Sequence, residues 1–348
     1  MGFWGLLEVA SMPILQVLIV SAVGAFMATD YLNLLSNETR NSLNKIVFVV
    51  FTPSLIFTSL VETVTLEDII SWWFMPINIG ITFLFGGILG WIAVKLIKPK
   101  PHLEGLIIAM CSTGNYANLL VIMVPAMCTD DGSLFGDHSV CKAKGLSYAS
   151  FSMAIVGRGL SGNEDKKTVS FSNQLADMIK KIVEQLLSPP TLGSFAGLVF
   201  GAIPWVKALL VGEKAPLRAL QDSLTLLGDG TVPCLTLILG GNLIQGLQKA
   251  SVGPTIIITV IIVRYLILPI IGIGVINLAA TLGLLPVDPL FRFVMLIMFA
   301  LPPGVNISTM AQFFSVGQEE CAMLMMWTYL VAAFALTAWS TIYMWILS

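Results

Sequence analysis

A helix-breaking sequence in the middle of a long apolar run limits what this chain can fold into. The run extends from Leu290 to Phe314, and Pro302, Pro303 and Gly304 stand near its centre. Proline lacks a backbone N–H and clashes with the preceding turn, while glycine adds backbone freedom. Lipid offers no partner to the backbone groups that such a break frees. We therefore expect the break to line a polar cavity or to be buried against protein.

A second break of the same kind occurs in the first half of the chain. Residues 111–118 read Cys-Ser-Thr-Gly-Asn-Tyr-Ala-Asn, and they interrupt the apolar run from Leu106 to Cys128, which also contains Pro125. Each break has an asparagine beside or close to a glycine. Two interrupted spans, one in each half, indicate a transporter site near the membrane midplane. The alternative is that each break is only a packing feature.

The composition indicates a polytopic membrane protein. Of the 348 residues, 56% are hydrophobic and 11% are charged, whereas soluble domains carry about 25% charged residues. The formal net charge of −2 argues against nucleic acid as a partner. The sequence has no cluster with metal-ligand spacing, no P-loop, no dinucleotide fingerprint and no nucleophile elbow. We therefore expect no enzyme activity, no bound metal and no cofactor.

Ten apolar segments are candidates for spans of the bilayer, although the fifth is short. They are Met12–Thr29, Lys45–Val61, Ile70–Ile97, Gly105–Cys128, Gly145–Val156, Thr191–Val211, Leu217–Leu243, Pro254–Ala280, Leu290–Phe314 and Cys321–Leu347. This pattern predicts an all-α polytopic membrane protein with ten transmembrane helices. Pro53 in the second span matches Pro233 in the seventh, and the broken fourth span matches the ninth. Each half has five spans, and an odd number of spans places two similar halves in opposite orientations across the membrane. Residues 1–157 and 190–348 are therefore predicted to be inverted repeats.

The loop charges predict the orientation. Lysine and arginine are more frequent in the loops after odd-numbered spans, so these loops are expected to be cytosolic and both termini luminal or exterior. Residues 158–189 then form a cytosolic loop between the repeats. Its second part has one apolar and one charged helical face, which is typical of an interfacial helix. A helix that binds a regulatory partner is the alternative.

Polar residues at the two breaks are the predicted substrate contacts. An amide can hydrogen-bond a carboxylate without placing a formal charge in the membrane, and half-helix N-termini favour an anion. The asparagines could alternatively cap the broken helices or bridge neighbouring ones. The predicted substrate-binding residues are Asn115, Asn118, Asn306, Gly114, Pro303, Gly304 and Ser112.

Two charges and two cysteines complete the set of candidates. Asp229 and Arg264 lie within apolar runs, where charges are functional candidates by default. Asp229 could take up a proton during transport, or it could form a structural ion pair with Arg264. Cys128 and Cys141 bracket a polar loop on the side predicted to be luminal, where an oxidising compartment would allow a disulfide.

With these motifs in place, the sequence resembles the plant PIN-LIKES family of auxin carriers, which are related to the PIN-formed auxin efflux carriers. The resemblance covers nearly the whole chain. It is carried by residues 13–18 (Pro-Ile-Leu-Gln-Val-Leu), 51–57 (Phe-Thr-Pro-Ser-Leu-Ile-Phe), the break at 112–118 with Pro125, and 300–306 (Ala-Leu-Pro-Pro-Gly-Val-Asn).

The resemblance implies an NhaA-like fold in which the broken helices cross. It also implies residence in the endoplasmic reticulum membrane and an indole-3-acetic acid substrate, with Asn115 and Asn306 near its carboxylate. The second span lacks the acidic residue of the PIN carriers' support site. A proton-sensing role therefore cannot be transferred to that span.

Residues and resemblance together predict a secondary carrier of the elevator type. It would move auxin, a small aromatic carboxylate, across the endoplasmic reticulum membrane and so affect intracellular auxin homeostasis. Membrane lipid is its expected surrounding, and a homodimer through the first, second, sixth and seventh spans is an open prediction. The alternatives are an ion-coupled organic-anion symporter of the bile-acid type and a non-transporting membrane receptor or scaffold.

Overall fold

The fold is known from a computed structural model, which describes most of the chain. The described residues are 3–116, 118–128, 135–136, 140–141, 144–149, 151–152, 189–212, 215–246, 252–304, 307 and 317–348. Within these ranges the regular structure is helical, and the only extended pairing is one isolated bridge. Residues 158–188, which include nearly all of the predicted cytosolic loop, lie outside the described ranges.

The helices follow the apolar segments of the sequence. The first half contains α1 (Phe3–Met27), α2 (Asn37–Ile46), the π-helical turn π1 (Val47–Phe51), α3 (Thr52–Thr63), α4 (Leu66–Ser71), α5 (Phe74–Ile97), α6 (Pro101–Ser112) and α7 (Asn118–Met127). The second half contains α8 (Pro189–Ala202), α9 (Pro204–Leu210), α10 (Arg218–Asp229), α11 (Thr231–Gly246), α12 (Pro254–Ile262), π2 (Val263–Ile267), α13 (Leu268–Thr281), α14 (Pro289–Ile297) and α15 (Gln318–Leu347). Residues 144–149, which overlap the start of the predicted fifth span, are also helical.

Five continuous helical segments of the described chain are long and apolar enough to cross a membrane. They are Asn37–Glu62, Phe74–Ile97, Arg218–Asn242, Pro254–Thr281 and Glu320–Leu347. The chain is therefore a polytopic membrane protein built from helices. Ten spans were predicted, and the remaining five stay a prediction.

The predicted sixth span is not one straight helix. The segments Leu192–Ala202 and Pro204–Leu210 meet at an angle of 110°. Pro204 opens α9, and the preceding residue Ile203 is extended. Because proline cannot continue the hydrogen-bond ladder of α8, the helix ends before it and a new one begins in another direction.

Each π-turn ends two residues before a proline. π1 precedes Pro53 and π2 precedes Pro269, each of which stands in the first turn of the next helix. A π-turn widens the backbone where the proline ring would otherwise crowd the previous turn. The two spans therefore continue through their prolines, and π2 carries Arg264 into the protein interior.

Glycines at four-residue spacing bring α8 close to α3. A Cβ atom added at Gly193 would lie 2.7 Å from the carbonyl oxygen of Pro53, and one added at Gly201 would lie 2.7 Å from that of Leu60. Gly197 between them is also confined, although less tightly, because its added Cβ would lie 3.0 Å from the Leu60 side chain. A stripe of small residues lets helix backbones approach closely in lipid. This packing fixes α8 against the second span.

Candidate functional site

The two broken segments cross each other and pair through their backbones. The N–H of Asn115 donates to the carbonyl of Pro302 at 2.8 Å, and the N–H of Gly304 donates to that of Thr113 at 3.2 Å. Gly114 and Pro303 form an antiparallel bridge between these two bonds. The crossing therefore satisfies backbone groups that the helix breaks had freed, inside a region where lipid could not satisfy them.

Local residue types end α6 at this point. Thr113 is extended, with φ −89° and ψ 122°, so the helix stops at Ser112. The hydroxyls of both residues donate back to the carbonyl of Ala109, at 3.3 Å for Ser112 and 2.8 Å for Thr113. The Ser112 side chain thus supports the helix end. At Gly304, an added Cβ would lie 3.2 Å from the carbonyl oxygen of Gly114. The close approach of the two backbones therefore explains why a glycine stands at position 304.

Arg264 lies inside the crossing and has no exposed surface. Its Nη1 donates to the carbonyl of Cys111 at 3.1 Å, and its Nη2 donates to those of Leu301 at 2.6 Å and Pro302 at 3.1 Å. One guanidinium therefore binds the ends of both broken segments. It also explains Gly114, because an added Cβ there would lie 2.9 Å from Nη2.

The ion pair expected between Asp229 and Arg264 is not formed. Asp229 is the last residue of α10 and is exposed, whereas the hydrogen bonds of Arg264 go to backbone carbonyls. Within the described ranges, no carboxylate pairs with Arg264. The physical reason is that three carbonyls at two helix ends already supply the negative potential that a buried guanidinium needs.

Asn115 is held by a tyrosine that sequence reasoning did not single out. Asn115 is 6% exposed, and its Nδ2 donates to the hydroxyl of Tyr329 on α15 at 2.8 Å. That hydroxyl donates in turn to the carbonyl of Pro303 at 2.9 Å. Tyr329 therefore orients the amide and joins the crossing to the last helix. In the sequence it is one of several polar residues within an apolar span, and this is a weak signal.

A pocket that is partly open to solvent lies against Asn115; the empty space in this region, open solvent included, is about 440 Å³. Its walls are apolar and its polar groups are amides; it is lined by Asn44, Asn115, Leu119, Ile122, Leu235, Ile238, Leu239 and Asn242. Asn115 is buried, Asn242 is half-buried and Asn44 is exposed, so Asn115 lies deep in the pocket and Asn44 at its rim. Among the described residues that line it, none carries a charge.

Asn44 and Asn242 were not predicted as site residues. Asn44 immediately precedes the second predicted span, and Asn242 lies at the end of the seventh. The two helices meet there, because Arg40 on α2 donates to the carbonyl of Gly241 on α11 at 2.5 Å. An asparagine at the end of an apolar span is a sequence feature from which both residues could have been proposed. Their convergence on Asn115 depends on how α2 and α11 pack.

The other predicted site residues fall partly outside what the structure describes. Asn306 is outside the described ranges, and Asn118 is the first residue of α7, with a side chain that is not described. Asp229 does not line the pocket. Cys128 and Cys141 form a disulfide with a Cα–Cα distance of 5.6 Å. In the described part of the chain, no group of three or more His, Cys, Asp or Glu residues could hold a metal ion.

Comparisons with known proteins show which family the chain resembles. The sequence matches the family described as Membrane transport protein over residues 9–158 and 161–340. It is 55% identical to Protein PIN-LIKES 7 of Arabidopsis thaliana over the full length of both chains. It is also 50% identical to Protein PIN-LIKES 5 and 38% identical to Protein PIN-LIKES 3 of the same plant, over 99% and 97% of each chain respectively.

Proposed function

The chain belongs to the membrane transport protein family and, within it, to the PIN-LIKES proteins, and from this premise we propose that it carries auxin across the endoplasmic reticulum membrane. The family is one of transporters and not of enzymes. The observation that carries the proposal is the pocket that reaches Asn115 at the crossing of the two broken segments. A binding site at such a crossing is the arrangement used by carriers with discontinuous helices.

The pocket suits a small aromatic monoanion such as indole-3-acetic acid. Five leucine and isoleucine side chains offer an apolar surface for a ring, while Asn115 offers an amide to a carboxylate. The N-terminus of α7 at Asn118 adds a positive dipole end beside it. Asn306, which follows the second break, is proposed to complete the carboxylate site. Gly114, Pro303 and Gly304 shape the backbone around it.

Inverted repeats are supported by two equivalent contacts. Arg40 at the start of α2 binds Gly241 near the end of α11, and Gln221 near the start of α10 donates to Glu62 near the end of α3 at 3.2 Å. Exchanging the second span for the seventh exchanges these contacts, as expected for two halves related by an axis in the membrane plane. We therefore propose two inverted five-helix units, residues 1–157 and 190–348, in an NhaA-like arrangement.

Alternating access would then follow from sliding of the crossing against α2 and α11. The pocket lies between these parts, because Asn115, Leu119 and Ile122 belong to the broken fourth span, and the remaining lining residues belong to α2 and α11. A movement of one part relative to the other would carry the substrate with Asn115 and separate it from Asn44 and Asn242. This is elevator-type transport.

Flux of labelled indole-3-acetic acid into liposomes that hold the purified protein tests the proposal. We expect saturable flux in the wild type, strong loss in Asn115→Ala and Asn306→Ala, and a raised KM in Asn44→Ala and Asn242→Ala. Asn41→Ala is the matched control, because Asn41 is an exposed asparagine on α2 that does not line the pocket.

Each contrary outcome has a distinct meaning. Binding without flux would support a receptor or scaffold instead of a carrier. Accumulation driven by a sodium gradient would support an organic-anion symporter of the bile-acid type. If indole-3-acetic acid neither binds to the protein nor crosses the membrane with it, the substrate is not auxin. A pH dependence that Asp229→Asn abolishes would assign proton coupling to Asp229.

A further inference from the structure

We propose that Arg264 is a fixed internal cation of the transport site, which occupies the position of a coupling sodium ion and makes the crossing selective for monoanions. The proposal deepens the proposed transport function and rests on it. It concerns what drives transport and which charge the substrate carries.

The ligands of Arg264 are those that a coupling cation would use. In carriers with broken helices, unwound backbone carbonyls and half-helix C-termini coordinate the sodium ion. Here the carbonyls of Cys111, Leu301 and Pro302 converge on one guanidinium, at 2.6 to 3.1 Å. They come from both breaks, so the cation binds the two halves of the crossing together. Because their oxygens already accept from Arg264, they are not arranged around a sodium ion.

The helix ends give the charge balance of the crossing. The C-terminal end of a helix carries roughly −0.5 and the N-terminal end roughly +0.5 elementary charge. Cys111 is in the last turn of α6, and Leu301 and Pro302 follow the turn that ends α14. The single charge of Arg264 therefore offsets two negative helix ends. Among the described residues, no carboxylate offsets the positive end of α7 at Asn118.

An anionic substrate is the natural partner for that remaining charge. Among the residues that the structure describes, no carboxylate pairs with Arg264 and none lines the pocket. The Nη2 of Arg264 and the backbone N–H of Asn115 donate to the same oxygen, that of Pro302. The buried charge thus lies next to the residue proposed to bind the substrate carboxylate. A neutral ligand of the same shape would leave the positive end of α7 without a partner.

The first test uses the wild-type protein in liposomes. Flux of indole-3-acetic acid is measured with a sodium gradient, with an equal potassium gradient and with no gradient. We expect the same initial rate in all three, and no accumulation against a concentration gradient when sodium is the only driving ion. Sodium-driven accumulation would overturn the proposal.

The second test compares acids with their neutral amides in three proteins. Binding of indole-3-acetic acid and indole-3-acetamide, and of phenylacetate and phenylacetamide, is measured for the wild type, Arg264→Lys and Arg264→Gln. We expect the wild type to prefer each acid, Arg264→Lys to retain that preference, and Arg264→Gln to lose it by about 10- to 100-fold. A purely structural role would weaken acid and amide by the same factor, and that result would contradict the proposal.

The two ligand pairs separate this proposal from the proposed function. If phenylacetate is preferred over phenylacetamide while indole-3-acetic acid does not bind, auxin is the wrong substrate and the charge assignment stands. If neither acid is preferred in the wild type, the charge assignment is wrong. Should Arg264→Gln fail to fold, retained acid preference in Arg264→Lys together with sodium-independent wild-type flux supports the proposal, and loss of that preference overturns it.

Discussion

At the scale of single residues, the site depends on a few groups that have no room to change. Gly114 lies between the ring of Tyr116 and the guanidinium of Arg264, and an added Cβ would be 2.8 Å and 2.9 Å from them. Asn115, the next residue, is oriented by the hydroxyl of Tyr329. Position-specific contacts of this kind explain why a glycine and an asparagine stand together at the break.

Gly114→Ala is expected to abolish flux and to lower the thermal unfolding temperature in detergent by several degrees. The new methyl group would push apart the guanidinium and the tyrosine ring, and overpacking of this kind costs about 1–3 kcal/mol. Gly105→Ala in α6 is the matched control, because nothing lies within 4 Å of its added Cβ. Equal behaviour of the two variants would show that the space at Gly114 is not needed.

Tyr329→Phe is expected to raise the KM for indole-3-acetic acid by about 5- to 30-fold, with a smaller change in stability. It leaves the buried Nδ2 of Asn115 and the carbonyl of Pro303 without their shared partner, which costs about 1–2 kcal/mol. Tyr343→Phe on the same helix is the control. The Tyr343 hydroxyl is buried and has no hydrogen-bond partner among the described residues, so its removal should leave KM unchanged.

At the scale of secondary-structure elements, close backbone approach positions the second span. Gly193, Gly197 and Gly201 form one stripe on α8 that faces α3, and their spacing brings one glycine to each turn. The second span in turn carries Asn44 at the rim of the pocket. The position of this rim residue therefore depends on how closely α8 packs against α3.

Gly193→Ala is expected to destabilise the protein by about 1–3 kcal/mol, measured as loss of thermal stability in detergent. Its added Cβ would lie 2.7 Å and 2.9 Å from the carbonyl oxygen and Cα of Pro53, and backbone atoms cannot move aside as a flexible side chain can. Gly274→Ala in α13 is the matched control, because no atom lies within 4 Å of its added Cβ. If both variants unfold at the same temperature, α8 does not approach α3 as closely as described.

At the scale of the whole molecule, the disulfide bears on how the chain lies across the membrane. Cys128 and Cys141 are joined, while Cys111, Cys234 and Cys321 are free thiols. Disulfides persist in oxidising compartments such as the lumen of the endoplasmic reticulum. The loop between Cys128 and Cys141 is therefore expected to face the lumen, which agrees with the orientation predicted from the loop charges.

Mass-tagging of thiols in microsomes tests this orientation. After denaturation without reductant we expect three maleimide tags per chain, and after reduction we expect five. Cys128→Ser should carry four tags under both conditions, because its partner Cys141 is then free. Five tags on the unreduced wild type would indicate a reduced loop and would contradict the luminal assignment.

The sequence by itself determined the class of the protein and where its two helix breaks fall, and the proposed site lies at those breaks. Hydrophobicity decides which segments are buried in lipid, and proline and glycine decide where a helix can continue; both depend on neighbouring residues alone. The breaks at residues 112–118 and 302–304 therefore follow from the sequence alone. So was the cysteine pair, because two cysteines bracketed one short loop.

Only the tertiary structure decided which groups meet. Arg264 binds the carbonyls of Cys111, Leu301 and Pro302 instead of Asp229, because the π-turn and the packing of its helix direct it into the crossing. Asn44 and Asn242 meet Asn115 at one pocket although they lie far apart in the chain. Such encounters depend on the rotation and closest approach of whole helices, and a local pattern of residues does not fix either quantity.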